Sequence, residues 1–254
     1  SYKVTLTATG DANNTDSTAS ALSSSVTTNK SYAITYNTNN STGGTAPTAG
    51  SWITGASASL IAANSGTLVR SGYTFAGWNT AANGSGTDYA ATGSVTYSTA
   101  ADLTLYAKWT ANGLTITYKS DYASGPVDVT ETKTADVAFN LRTNTFTRTG
   151  YSFAGWALTS GGAVAKADSV SVTVLADTTY YAQWTAVNYT VTYNGNNNTG
   201  GSVPTDSANY NIGGSVTVKG NTGSLVRTGY SFNGWTDDSG NTGTLYLPGT
   251  ANTT

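Results

Sequence analysis

Arg70-Ser71-Gly72-Tyr73-Thr74-Phe75-Ala76-Gly77-Trp78 sets a pattern that this chain carries three times. It returns as Arg148-Thr149-Gly150-Tyr151-Ser152-Phe153-Ala154-Gly155-Trp156 and as Arg227-Thr228-Gly229-Tyr230-Ser231-Phe232-Asn233-Gly234-Trp235, so successive copies start 78 and 79 residues apart. In each copy Tyr and Phe stand two apart, and side chains two apart share one face of a β-strand. The Gly before each Trp admits a β-bulge or the close approach of a neighbouring strand. Two rings and an indole supply buried area that a small module otherwise lacks. We read these aromatics as a core signature rather than as a sugar-binding platform, because they recur at the module period. The Arg that opens each copy is expected to lie over a ring face or to pair with an Asp such as Asp102.

The flanks of each block also repeat. Before it come Tyr32-Ala33-Ile34-Thr35-Tyr36-Asn37, Leu114-Thr115-Ile116-Thr117-Tyr118 and Tyr189-Thr190-Val191-Thr192-Tyr193-Asn194, each read as an opening strand. A turn-rich loop follows in the first and third modules, Asn39 to Gly44 and Asn196 to Gly201; in the second, Ser120 to Val127 replaces it. Residues 57–63 fit a short helix or a second strand equally well, and Val95 to Tyr97 reads as a short strand. After the block come the closing strands Leu103-Thr104-Leu105-Tyr106-Ala107-Lys108-Trp109 and Thr178-Thr179-Tyr180-Tyr181-Ala182-Gln183-Trp184. From block Trp to closing Trp is 31 residues in the first module and 28 in the second; the same spacing from Trp235 runs past Thr254. The expected fold is therefore mainly β: a tandem array of three small modules, at 31–111, 112–186 and 187–254, the third lacking its closing strand. The joins, Thr110 to Gly113 and Thr185 to Asn188, are short enough for a semi-rigid rod.

Residues 1–30 carry no copy of the block. Tyr2, Val4, Leu6 and Ala8 alternate with Lys3, Thr5 and Thr7, which reads as an extra strand over residues 2–9. A polar linker rich in Asp, Asn, Thr and Ser follows. No signal peptide is visible, and the polar strand-like start reads as a mature or excised chain.

Composition narrows the function. Only 9% of residues are charged, about a third of the usual share, yet 17 Tyr, 6 Trp and 5 Phe argue against disorder. The net charge is -2 and no run of Lys or Arg occurs, which disfavours nucleic acid. No apolar run is long enough to span a membrane. Cys, His and Met are absent, which removes thiolate and imidazole chemistry, disulfides and the usual zinc and copper ligands. Glu131 is the lone Glu, so no pair of carboxylates of the glycosidase kind can be singled out. No catalytic, cofactor-binding or metal-binding residue is assigned.

Gly72-Tyr73-Thr74-Phe75-Ala76-Gly77-Trp78 with Leu105-Tyr106-Ala107-Lys108-Trp109, and their copies, resemble the Listeria–Bacteroides repeat, the small module of bacterial surface proteins that includes the internalin B-repeat. The likeness covers residues 32 to 254. It implies a β-grasp-like fold, tandem occurrence in secreted or wall-anchored proteins, and roles in adhesion or spacing. It implies no enzyme activity.

Other candidates are weighed against plainer roles. Trp52 has no counterpart in the other modules, so it is the best candidate for an exposed aromatic, with core packing an equal alternative. The loops Asp11 to Asp16 and Asp237 to Asn241 offer oxygen ligands for calcium but lack EF-hand spacing, and turn chemistry explains them as well. The missing closing strand admits three explanations: a fragment of a longer array, a degenerate cap, or a strand supplied by another chain. The alternation of Tyr2, Val4, Leu6 and Ala8 matches that of Leu103, Leu105, Ala107 and Trp109, although no Trp ends it. Two functions follow: an extracellular filament subunit or rigid stalk, polymerising head to tail through residues 2–9, or an adhesin segment binding a glycan or host protein through exposed aromatics.

Overall fold

The computed structural model describes residues 30–53, 59–61, 63–95 and 100–253. The chain divides into two compact units, Ser1–Asn112 and Gly113–Thr254. Every regular element among the described residues is a β-strand.

In the first unit the strands are β1 (Ser31–Asn37), β2 (Gly50–Ile53), β3 (Ser59–Ile61), β4 (Tyr73–Asn79), β5 (Asp88–Tyr89), β6 (Gly93–Val95) and β7 (Leu103–Ala111). Five of them form one sheet in the order β2-β1-β7-β4-β5, and β3 pairs with β6 apart from it. Residues 59–61, open between helix and strand on the sequence, are thus a strand. The closing strand sits in the middle of the sheet. It runs parallel to β1, with Tyr36 opposite Leu105, and antiparallel to β4, with Trp78 opposite Ala107. Alternation along β7 sends Leu103, Leu105 and Ala107 into the core, where they meet Ile34, Trp52, Leu68 and Trp78.

The second repeat copies this plan with β8 (Gly113–Lys119), β9 (Val129–Thr134), β10 (Phe139–Asn140), β11 (Tyr151–Ala157), β12 (Ser171–Val172) and β13 (Thr178–Ala186). Its main sheet has the order β11-β13-β8-β9, with β10 and β12 paired beside it. The core gathers Ile116, Tyr118, Leu141, Phe146, Trp156, Val172, Tyr180 and Ala182.

The third repeat holds β14 (Ser215–Thr217), β15 (Trp235–Thr236), β16 (Leu245–Tyr246) and β17 (Ala251–Thr253), joined as the two-stranded pairs β14-β17 and β15-β16. Residues 189–194 were expected to form an opening strand. Instead, only Tyr189 is bridged, to Tyr210, and the rest carries no strand pairing. A strand exists through its neighbours' hydrogen bonds, and among the described residues no counterpart of β7 or β13 lies beside this segment. The second and third repeats share one unit and meet where Ile212 packs on Gly150, a Cβ at which would lie 2.1 Å from the Ile212 side chain.

Candidate functional site

The recurring block builds a small aromatic box, complete in the first two repeats. Register slips between Phe75 and Gly77 and between Phe153 and Gly155, so both glycines sit in β-bulges. Their φ values, +122° and +142°, are ones that L side chains avoid. The slip places Phe75 opposite Trp109 and Trp78 opposite Ala107, and likewise Phe153 opposite Trp184 and Trp156 opposite Ala182. Phe75 lies edge-on to Trp78 at 5.2 Å and to Trp109 at 5.6 Å; Phe153 does the same to Trp156 at 5.0 Å and Trp184 at 5.8 Å. The opening strands add Tyr36, 4.7 Å from Trp78, and Tyr118, 5.1 Å from Trp156. Trp78 and Trp156 are fully buried, and Trp109 and Trp184 pack half-buried at the edge of each core.

Each closing indole is fixed by one hydrogen bond. The Trp109 N–H donates to the Asn39 carbonyl at 2.8 Å, and the Trp184 N–H to the Ser120 carbonyl at 2.8 Å. Asn39 adopts φ +45°, takes its turn from an N–H bond to Asn37 Oδ1, and donates through Nδ2 to the Ala82 and Ala107 carbonyls, both at 2.8 Å. The turn that accepts the indole is thereby tied to the strand that carries it. The arginines settle over rings: Arg70 is 3.8 Å from the Tyr73 ring centre, Arg148 3.8 Å from Tyr151 and Arg227 4.3 Å from Tyr230. Asp102, the acid considered for Arg70, accepts the Ala33 N–H at 2.9 Å, and Asp177 accepts the Thr115 N–H at 2.8 Å in the same role.

The third repeat holds the same box with one wall open. Tyr193 lies 4.7 Å from Trp235, Phe232 lies 5.2 Å from Trp235, and Gly234 has φ +139°. Asn196 adopts φ +44°, donates its backbone N–H to Asn194 Oδ1 and its Nδ2 to the Ser239 carbonyl at 3.1 Å, as Asn39 does to Asn37 and Ala82. The loop behind it docks identically, with the Thr199 N–H on the Val226 carbonyl at 2.7 Å as the Thr42 N–H on that of Val69. Where β7 and β13 run in the other repeats there is a cleft of about 900 Å³ between residues 191–194 and 230–236. Its floor is Val216, Val218, Leu225 and Trp235. Tyr230 is 68% and Phe232 40% exposed. As members of a core signature these two are corrected: the chemistry recurs, but no closing strand covers them among the described residues. Trp235 is half-buried and donates to the Lys219 carbonyl at 2.8 Å.

Trp52 is also corrected. It is 4% exposed and stacked on Tyr32 at 5.0 Å, because β2 pairs it directly across from Tyr32. The proposed donor residues Tyr2, Val4, Leu6 and Ala8, and the Asp11 to Asp16 loop, lie outside the described residues. In the Asp237 to Asn241 loop the carboxylates are engaged in turn bonds. Asp238 accepts the Thr242 hydroxyl at 2.6 Å and the Gly243 N–H at 3.0 Å, which hold its pKa below the ordinary carboxylate range. Among the described residues no cluster of acids could hold a metal, and no helix is long and apolar enough to cross a membrane.

Two features went unnoticed in the sequence. An Asn clamps the residue two before each Arg: Asn64 and Asn221 embrace the backbone of Leu68 and Leu225, donating through Nδ2 and accepting through Oδ1, and Asn144 does so to Phe146. Leu68, Phe146 and Leu225 are all buried. The Asn-to-Leu spacing of four in the first and third repeats is the signal that could have shown it. The acceptor role of the Asn39 and Asn196 backbone had no signal beyond the Asn-rich turn.

A family model described as the Listeria–Bacteroides repeat domain matches residues 32–108, 115–183 and 189–254. Two proteins of Evansella cellulosilytica are similar to parts of the chain. One, named as a Gly-rich membrane protein, is 34% identical over 145 residues, covering 54% of this chain and 17% of its own length. The other, named as a membrane protein, is 31% identical over 148 residues, covering 58% of this chain and 21% of its own length. The matches thus span about a fifth of these relatives.

Proposed function

This chain belongs to the Listeria–Bacteroides repeat domain family, a structural repeat of bacterial surface proteins, and from that premise we propose that it is a non-enzymatic extracellular protein acting as a surface filament subunit or rigid stalk. Its three repeats, at 31–111, 112–186 and 187–254, are modules of β-grasp-like plan, the third showing no closing strand among the described residues. Residues 2–9 complete the third module of a neighbouring copy by strand addition, and the head-to-tail contact propagates as a polymer. The observation that carries this reading is the cleft of the third repeat, open along the line that β7 and β13 occupy elsewhere. An uncovered strand position over an apolar floor favours pairing with another chain. The adhesin reading, through exposed aromatics, loses Trp52, which is buried, and keeps Tyr230 and Phe232 as its candidates. The test is deletion of residues 1–10: the intact chain should form concentration-dependent fibres under the electron microscope, and the truncated chain should stay monomeric. Fibres that persist after the deletion would sink the donor role.

A further inference from the structure

The main sheet of the second repeat ends on β9, and among the described residues no strand pairs with the outer edge of β9. In the first repeat the same edge is β2, four residues long and without a charge. β9 is longer and reads Val129-Thr130-Glu131-Thr132-Lys133-Thr134. Thr130, Thr132 and Thr134 are exposed. The other face is held from within. Val129 packs on the core, Glu131 accepts the Tyr118 hydroxyl at 2.7 Å, and Lys133 stands 3.2 Å from Glu131 and 5.1 Å from the Phe139 ring centre. Exposed Val127 and Val137 flank the strand at its two ends.

Charges on an edge strand deter pairing with chains that bring no matching charge. An antiparallel copy of β9 does bring one. An edge strand bonds outward through alternate residues, so a two-fold pair is centred on a residue. Centred on Glu131, the pair sets glutamate against glutamate; centred on Lys133, it sets lysine against lysine. Centred on Thr132, it sets Glu131 opposite the second copy's Lys133 twice over, with Thr130 opposite Thr134 and Thr132 on the axis. Unlike charges directly opposite stabilise a strand pair and like charges oppose it, so charge selects this register. The antiparallel order also brings Val127 to the end where the second copy's Val137 stands.

We propose that β9 is a docking edge for a second copy of this chain: two second-repeat sheets join edge to edge, antiparallel, in the register centred on Thr132. Backbone bonds supply the attraction, and the two Glu–Lys pairs set the register. The contact is isologous and closes on itself, so it pairs chains side by side and does not propagate. Six residues a side make a small interface, so pairing depends on high local concentration, as between neighbouring stalks or filaments. The inference is independent of the third repeat and of residues 2–9.

The chain holds no Cys, so single Cys substitutions in the full chain report the register. Each variant is treated with diamide and run on a non-reducing gel. Residues opposite each other lie about 5 Å apart, within reach of a disulfide. Thr132→Cys should therefore crosslink into dimers at a rate that rises with protein concentration. Position 130 stands four residues, about 13 Å, from its own copy. Thr130→Cys alone and Thr134→Cys alone should crosslink at least about tenfold more slowly, and a mixture of the two should recover the crosslink. Adding Lys133→Glu to the Thr132→Cys chain should slow the crosslink at least about tenfold. Mixing that chain with the Glu131→Lys, Thr132→Cys chain should restore it, because each then faces opposite charge. Lys133→Glu leaves the Tyr118–Glu131 bond in place, so charge is tested even where Glu131→Lys fails to fold. Equal crosslinking at all three positions, none at Thr132→Cys, or indifference to charge reversal overturns the inference. Deleting residues 1–10 should leave the Thr132→Cys crosslink unchanged; its loss would assign the contact to head-to-tail assembly and overturn the inference as well.

Discussion

At the scale of single residues, the glycine before each Trp is the strictest requirement of the block. Gly77 has φ +122°, and a Cβ there would sit 2.5 Å from the Tyr89 carbonyl oxygen, a backbone atom that cannot step aside. Both strain and overlap oppose a side chain. Gly77→Ala is expected to destabilise the first unit by more than about 2 kcal/mol in urea denaturation. Gly84→Ala is the matched control: φ +78° but nothing within 4 Å of the added Cβ. It should cost only the backbone strain, about 1 kcal/mol. Equal losses would mean that the bulge is dispensable. The arginines belong at this scale too. They sit over the ring faces of their own blocks at 3.8 to 4.3 Å. The sequence allowed a ring or an acid, and the structure places each Arg over the ring of its own block.

At the scale of elements, the repeats keep one loop geometry with different chemistry. In the second repeat Asp121, at φ +59°, stands in for the Asn turn. Its carboxylate accepts the Ser160 hydroxyl at 2.6 Å, the Gly161 N–H at 2.9 Å and Gln183 Nε2 at 3.1 Å, tying the first loop to the block loop and to β13. Burial pushes the carboxyl up, but these three bonds outweigh it and hold the pKa below the ordinary carboxylate range. A carboxyl whose folded pKa is depressed gives stability that is present above its unfolded value and lost as pH falls through the folded one. The second unit should therefore weaken below about pH 4, and Asp121→Asn should flatten that dependence. Urea midpoints at neutral pH and near pH 3 check it; an unchanged slope in the variant would deny Asp121 this role. Pairing also explains Trp52. Its lack of counterparts in the other repeats pointed outward, but a cross-strand neighbour, Tyr32, draws it into the core.

At the scale of the molecule, the first and second repeats each build a main sheet of five or four strands, and among the described residues the third holds only two-stranded pairs. Backbone groups paired within a sheet open only with the sheet, whereas unpaired ones exchange from the native state. Amides of residues 191–193 and 231–233 should therefore exchange with deuterium faster than those of 116–118 and 152–154. Mass-spectrometric exchange on the isolated chain checks this, and matching protection would mean that the cleft is filled.

The repeat, its period, the β character and the boundaries of β1, β4, β7, β8, β11 and β13 were legible to within a few residues, because they rest on local rules. Alternation fixes which face is buried, and a Gly before Trp permits the bulge. Residues 189–194 carry the same alternation as Tyr32 to Asn37, yet form no strand beyond one bridge. Tertiary structure alone decided that, and it also buried Trp52, exposed Tyr230 and Phe232, and made the carbonyl of an Asn turn the acceptor for a distant indole. The physical reason is common to all four. A β-strand has no internal hydrogen bonds, so its existence, and the burial of what it carries, depends on partners far away along the chain.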